Sequence, residues 1–174
     1  PFFNKQYCSG TIQLVNGKTY DGLNLKLNLQ ENKIIASLDD GIETIITSPV
    51  HKVTLYCNGT KPAIIFLSSL PSINKQNHKS LYQVLDSGEL FLLKYTEVRY
   101  KDTKDYNGTY ITRRSYYQTP EYYVWSPGKD LIKVSLNEEE LLTVLNPLRK
   151  PLLNILLKEN IKLRKETDLI KLFT

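Results

Sequence analysis

Alternating apolar and polar residues mark the first sixty positions of the chain. Four leucines between residues 23 and 29 alternate with polar neighbours, and this period of two predicts a strand with one buried face. Segments of similar character predict antiparallel strands at residues 10–15, from 18 onward, and at 33–38, 42–47, 50–57 and 63–67. The first five form a meander, which we expect to curl into a half-barrel or to pack one face on another layer.

Residues 81–100 are predicted to be two strands joined by a turn at Asp86-Ser87-Gly88. The second strand begins with four consecutive apolar residues, 90–93, a run typical of a strand that is buried on both faces. We therefore expect this hairpin in the middle of the sheet. The polar segment 68–79 before it is predicted to be a loop and is the one place where a domain boundary could fall.

The chain changes character after residue 100, because it becomes polar and then strongly aromatic. Eight of its twelve tyrosines lie between Tyr95 and Tyr123. The pattern predicts a long loop or an extended hairpin around Asn107-Gly108, followed by strands at 109–117 and 122–126 and a last strand at 131–134.

The C-terminal forty residues have helical patterns. Asn137 is a predicted N-cap, because three glutamates follow it in the first turn, where the helix dipole favours acids. A second helix is predicted to begin near Pro151 and a third to span 166–173. The predicted fold is α+β: a mainly antiparallel sheet or open barrel of roughly ten strands, followed by two or three C-terminal helices. We expect a single domain, 1–174, with strands in 8–134 and helices in 136–173.

All eight glycines follow Ser, Asn, Asp or Pro, so each is predicted to lie in a turn and none to build a phosphate-binding loop. Asn58 and Asn107 each begin an Asn-Gly-Thr sequence, the acceptor pattern for N-glycosylation, although a plain Asn-Gly turn explains both. The two cysteines, Cys8 and Cys57, leave two interpretations open: a pair of buried thiols, or one disulfide that closes the N-terminal meander.

The net charge of +5 is dispersed along the chain, with a basic excess of 0 in residues 1–60, 3 in 61–126 and 2 in 127–174. Nucleic-acid binding needs clustered phosphate contacts, so this distribution disfavours it. The two histidines, His51 and His78, fall in a predicted strand and a polar loop, and no catalytic motif includes them. We therefore expect no metal site, no cofactor and no enzyme.

The tyrosine-rich segment is the one candidate binding surface in the sequence. Flat aromatic rings beside guanidinium groups can stack sugars or bases or can anchor a protein partner. Tyrosines also suit strands and pair across them, and neighbouring tyrosines point to opposite faces, so half of them should be core. The candidate residues are Arg113, Arg114, Tyr116, Tyr117, Tyr122, Tyr123 and Trp125.

Four stretches carry a resemblance: GTIQLVNGKTYDGLNL, SLYQVLDSGELFLLKY, YYVWSPGKDLIKVSLNEEELLTVL and ENIKLRKETDLIKLF. Together they resemble an uncharacterised family of secreted Gram-negative bacterial proteins. The resemblance covers most of the chain and implies a location outside the cytoplasm, without an activity or functional residues. It also implies that the segment from Asp102 to Pro120 is a variable loop region.

We expect a non-enzymatic binding or scaffold module of the bacterial cell envelope with a protein or glycan partner. Because the chain starts at Pro1 and has no Met, we expect a trimmed chain of a periplasmic or extracellular protein from which a signal peptide has been removed. No apolar run is long enough to span a membrane. The alternative hypothesis is an enzyme that processes a glycan or small ligand with carboxylates assembled by the fold.

Overall fold

The computed structural model describes residues 2–38, 41–57, 62–106, 110–146 and 149–174. Ten strands in this part of the chain form one antiparallel sheet that is not closed, and three helices follow it, which confirms the predicted α+β fold. The strands are β1 (Cys8–Leu14), β2 (Thr19–Asn28), β3 (Lys33–Ser37), β4 (Glu43–Ile45), β5 (Val50–Tyr56), β6 (Ile64–Leu67), β7 (Tyr82–Ser87), β8 (Phe91–Tyr106), β9 (Tyr110–Trp125) and β10 (Ile132–Val134). Both Asn-Gly-Thr sequences, with the Asn-Gly turns expected at 58–59 and 107–108, lie outside the described residues.

The strand order differs from a simple meander at β5. Strands β1 to β4 are sequential neighbours as predicted, but β5 returns to pair with β1, giving the order β10-β9-β8-β7-β6-β5-β1-β2-β3-β4. The connection from Ile45 to Val50 is short, and five residue steps reach at most about 17 Å. Four strand spacings in a flat sheet would need about 19 Å, so the sheet curves between β4 and β5. This supports the half-barrel expectation.

Three apolar clusters fill the fold. The first lies inside the curved part of the sheet and includes Ile12, Leu25 and Leu55. The second packs the helices on one face of the β7–β9 region, and the third covers the opposite face with loop residues such as Leu70 and Leu131. Leu92 and Leu93, which point to opposite faces, are therefore both fully buried, as their apolar run predicts.

The helices are α1 (Glu138–Val144), α2 (Arg149–Lys158) and α3 (Glu166–Phe173). The Asn137 side chain accepts a hydrogen bond from the Glu140 backbone N–H at 3.0 Å, which confirms the predicted N-cap. The third helix has the predicted bounds, and Pro151 lies in the first turn of α2, where its missing N–H does no harm. None of these helices is long and apolar enough to cross a bilayer.

Gly10 corrects the prediction that every glycine lies in a turn, because it lies inside β1. A Cβ atom on Gly10 would lie 2.5 Å from the Thr54 carbonyl oxygen and 2.9 Å from Leu25 Cδ1. Glycine is required there for close strand packing and not for a positive φ. Gly22 likewise lies within a strand, at a bulge in β2, and it has a φ of +69°.

Cys8 in β1 and Cys57 directly after β5 are joined by a disulfide, so the structure contains the second of the two arrangements that the sequence leaves open. Their Cα atoms lie 4.7 Å apart because β1 and β5 are neighbours. The disulfide therefore cross-links β1 and β5, the strand pair at which the order departs from a simple meander.

Candidate binding arm

Strands β8 and β9 continue far beyond the rest of the sheet. Strand β7 pairs with β8 no further than Tyr95, and β10 pairs with β9 only from Tyr122 to Val124. The two strands nevertheless stay in one register from Phe91↔Trp125 to Tyr106↔Tyr110. We call residues 96–106 and 110–120 the arm; at eleven residues per strand it spans about 36 Å.

The arm corrects the prediction of separate strands at 109–117 and 122–126, because β9 is continuous through Pro120. Proline removes a backbone donor and usually interrupts a central strand. At Pro120, however, β9 has β8 on one side and no strand on the other, so the neighbouring ladder can tolerate it.

Most described side chains of the arm are exposed on both faces. From Arg99 to Lys104, and from Thr112 to Pro120, every one is exposed. Tyr116 and Tyr117 have exposed fractions of 46% and 49%, although their side chains point to opposite faces. The expectation that half of the neighbouring tyrosines are core is therefore not met in this pair, since both Tyr116 and Tyr117 are exposed in the described part of the chain.

Four side chains on one face of the arm form a compact group, which we call the Arg114 cluster. Arg114 donates from Nε and Nη2 to the two carboxylate oxygens of Asp102, both at 2.8 Å. Its guanidinium lies 4.0 Å from the centre of the Tyr100 ring, and the Tyr100 and Tyr116 rings meet edge to face at 6.2 Å. Register explains the group, because Asp102 is opposite Arg114 and Tyr100 is opposite Tyr116.

The ion pair also sets the electrostatics of this face. The hydrogen bonds from Arg114 hold the pKa of the Asp102 carboxyl below its usual value, and the same bonds raise the pKa of the Arg114 guanidinium. Both groups are therefore charged at neutral pH and neutralise each other. Beside this neutralised pair, the face presents the Tyr100 and Tyr116 rings and the exposed Lys104.

The opposite face of the arm carries more basic groups. Arg99 donates to Glu97 at 2.7 Å, and this hydrogen bond raises the pKa of the Arg99 guanidinium. Tyr117 lies opposite Arg99, and Arg113 is exposed opposite Thr103. The two faces thus differ in composition, because the face of the Arg114 cluster carries Tyr100 and Tyr116, whereas the opposite face carries Arg99, Lys101 and Arg113.

Three of the seven predicted surface residues lie at the base of the hairpin and are not part of the exposed arm. Tyr122 is buried, and burial followed by the charge of Glu166 raises its pKa to about 12. Tyr123 is fully buried, and Trp125 is half-buried with its Nε1 donating to the Lys129 carbonyl at 3.1 Å. Layers on both faces cover this part of β9, so both members of the Tyr122-Tyr123 pair are core.

Glu121 anchors the arm where it leaves the sheet. Its carboxylate accepts hydrogen bonds from Gln76 Nε2 and the Tyr123 hydroxyl, both at 2.9 Å, and from Lys133 Nζ at 2.5 Å. Burial alone would raise the pKa of Glu121, but the bonds from Lys133, Tyr123 and Gln76 outweigh it and lower the pKa. A loop, β10 and the start of the arm are therefore held together by one ionised carboxylate.

Replacing Glu121 by Gln should lower the free energy of unfolding at pH 7 by about 1–3 kcal/mol. The ion pair with Lys133 is lost, and the amide N–H₂ group of Gln would face a hydrogen-bond donor where the carboxylate had accepted a bond. Because the pKa of Glu121 is lowered in the folded protein, the ionised carboxylate stabilises the wild type at pH values above the usual pKa of 4.5. This stabilisation is lost as the pH falls through the folded-state pKa. The difference between variant and wild type should therefore shrink toward pH 3. Urea unfolding at pH 7 and pH 3 measures it.

Glu89→Gln is the matched control, since Glu89 is an exposed carboxylate near the β7–β8 turn. It should change the stability by less than about 0.5 kcal/mol at either pH. A Glu121→Gln variant as stable as wild type at pH 7 would contradict the anchoring role.

Sequence reasoning missed Tyr100 and Asp102, which complete the Arg114 cluster. Their positions follow from the register, since strands that pair Tyr106 with Tyr110 place Asp102 opposite Arg114 and Tyr100 opposite Tyr116. The prediction used only the sequence of β9 and did not carry the register back to β8.

The enzyme alternative requires two carboxylates in one concavity, with one pKa raised so that it can act as an acid. A groove of about 180 Å³ at the base of the arm does bring Glu97 and Glu121 together. The pKa of Glu121 is lowered, however, and its oxygens are occupied by three donors. This groove therefore does not favour acid catalysis.

A larger and more apolar groove of about 440 Å³ lies beside α1, between Leu90, Trp125, Ile132 and Val144. Its charged lining residues are Glu89, Lys129 and Asp130. The described residues that line it include neither histidine nor cysteine. Comparisons of the chain with known protein families, curated proteins and solved structures each found no significant match, so its function has to be argued from this geometry.

Proposed function

We propose that the protein is a non-enzymatic binding module of the bacterial cell envelope, and that the arm recognises a protein partner. The observation that carries this is the Arg114 cluster, an ordered set of aromatic and guanidinium groups on an exposed two-stranded ribbon. Tyr, Trp and Arg dominate the residues that contribute most to binding at protein interfaces. Side chains already held in one conformation also lose less entropy on binding.

A protein partner fits the cluster better than a glycan does. Stacking on a sugar needs an open ring face, but the guanidinium of Arg114 covers one face of Tyr100. The edge-to-face contact between Tyr100 and Tyr116 occupies one more ring face, so the pair presents a mixture of ring surface and phenol hydroxyl. Such groups suit the mixed apolar and hydrogen-bonding surface of another protein.

A location in the periplasm or outside the cell is part of the proposal. The Cys8–Cys57 disulfide supports it, because such bonds persist in oxidising compartments and are rare in the cytosol. The resemblance to secreted Gram-negative proteins points the same way.

Tyr116→Ala and Arg114→Lys should each weaken capture of the partner from a native envelope extract by at least about 30-fold, the loss typical of a central interface residue. Arg114→Lys keeps the positive charge but loses the planar, bidentate contact with Asp102, so it tests geometry separately from charge. Captured proteins would be identified by mass spectrometry, and affinity for the purified partner measured by titration.

Tyr56→Ala is the matched control, because Tyr56 has a similar exposed fraction, 44%, but lies at the end of β5, away from the arm. It should leave capture unchanged. An identical set of captured proteins for wild type, Tyr116→Ala and Arg114→Lys would remove the arm from consideration as the contact surface.

A further inference from the structure

In the described part of the chain, no strand pairs with the outer edge of β9 along the arm. Strand β10 pairs with β9 only at residues 122–124, and from 112 to 120 every side chain is exposed. An unpaired edge offers a row of backbone N–H and C=O groups to another strand. Residues 112–118 contain neither Gly nor Pro, so this window can form a regular ladder.

The sequence of this window is complementary to itself in the antiparallel direction. A twofold axis perpendicular to the sheet can relate two identical antiparallel strands, and the same face of each strand then lies on the same side of the ribbon. The axis can pass midway between the two copies of one residue. An axis at Ser115 places Arg114 opposite Tyr116, Arg113 opposite Tyr117, and Thr112 opposite Gln118 of a second copy. Each arginine then faces a tyrosine, and no like charges are opposed.

We propose that the β9 edge of the arm pairs with the same edge of a second copy, with Ser115 on the twofold axis. The two arms then form one four-stranded ribbon. On the face that carries the Arg114 cluster, one row of side chains crosses the ribbon from Asp102 to Arg114, and then to Tyr116 and Tyr100 of the second copy. The twofold axis generates an identical row that runs in the opposite direction. The existing contacts of Arg114 with Asp102 and Tyr100 are retained.

Composition favours the β9 edge over the β8 edge as the pairing surface. Six of the eleven arm residues of β8 are charged, whereas two of the seven in the β9 window are. Charged edge strands are a common protection against strand addition. Centred on Tyr100, the β8 edge would also oppose Arg99 and Lys101.

A single cysteine at position 115 tests the register directly. Opposed residues in antiparallel strands have Cα atoms about 4.5–5.5 Å apart, a range that a disulfide can bridge. Both native cysteines are already bonded to each other, so Ser115→Cys adds the only thiol. Under mild oxidation, purified Ser115→Cys should form covalent dimers at least about tenfold faster than a cysteine outside the axis, because pairing raises the local thiol concentration to the millimolar range.

Thr103→Cys is the matched control, since Thr103 is also exposed and lies on the same face of the arm but on β8. A second test mixes Thr112→Cys with Gln118→Cys, which should cross-link with each other and not with themselves. Non-reducing electrophoresis reads both tests, and sedimentation of the wild-type chain should show a dimer.

Cross-linking of Thr103→Cys as fast as Ser115→Cys, or a wild-type chain that stays monomeric at the concentrations of the assay, would overturn the proposal. The assay contains only the purified chain, so its result does not depend on a binding partner. Pairing of two copies is therefore a property beyond the proposed function. Failure of the cross-link would leave the envelope capture experiment unaffected, and failed capture would leave the cross-link interpretable.

Discussion

Replacing both Cys8 and Cys57 by Ala should lower the free energy of unfolding by about 4 kcal/mol. The bond closes a loop with a sequence separation of 49 residues, and the entropy that a cross-link of this length removes from the unfolded chain corresponds to about 4 kcal/mol. The native contacts of β1 with β5 persist in the variant, so the loss acts mainly through the unfolded state. Urea unfolding followed by circular dichroism measures the change.

Reductant provides the internal control for this prediction. A reducing agent should shift the unfolding midpoint of the wild-type chain to that of the double variant and should leave the variant unchanged. If the wild-type midpoint were the same with and without reductant, the disulfide would not contribute to stability.

Gly10→Ala should destabilise the protein by about 3 kcal/mol, at the upper end of the usual cost of overpacking. The added methyl would meet the Thr54 carbonyl oxygen at 2.5 Å, and that oxygen belongs to the backbone of the paired strand β5. It cannot rotate away as the end of a side chain could. The strand pair would have to separate locally, which also disturbs Leu25 and Leu55 in the core.

Gly88→Ala is the control that separates steric crowding from the general effect of removing a glycine. A Cβ at Gly88 would meet nothing within 4 Å, and its φ lies outside the left-handed region. The variant should therefore stay within about 0.5 kcal/mol of wild type or be slightly more stable. Equal stability losses in the two variants, measured by thermal unfolding, would contradict the close-packing explanation for Gly10.

Local patterns predicted most of the elements. The Asn137 cap, the bounds of α3 and the buried pair Leu92-Leu93 follow from interactions between residues near one another in sequence. Gly10 was misjudged because a preceding serine resembles a turn, whereas the need for glycine comes from a strand more than forty residues away. Nothing in the sequence around Gly10 indicates that contact.

The exposure of the tyrosine pairs in the candidate site also could not be predicted from local sequence. Periodicity correctly places Tyr116 and Tyr117 on opposite faces, and it does the same for Tyr122 and Tyr123. Which face is covered depends on where neighbouring strands, loops and helices end, and that is a property of the whole fold. One pair is consequently exposed on both sides and the other buried on both sides, although their local sequences are alike.

The return of β5 to the side of β1 has a consequence for the order of folding. Strand β1 can pair with β2 as soon as about twenty residues are available, but its other edge stays open until the chain has reached residue 56. Closing that long connection is slow relative to forming hairpins. A nascent chain therefore exposes an incomplete β1 edge over a long interval, and the cysteine pair can be oxidised correctly only after that interval ends.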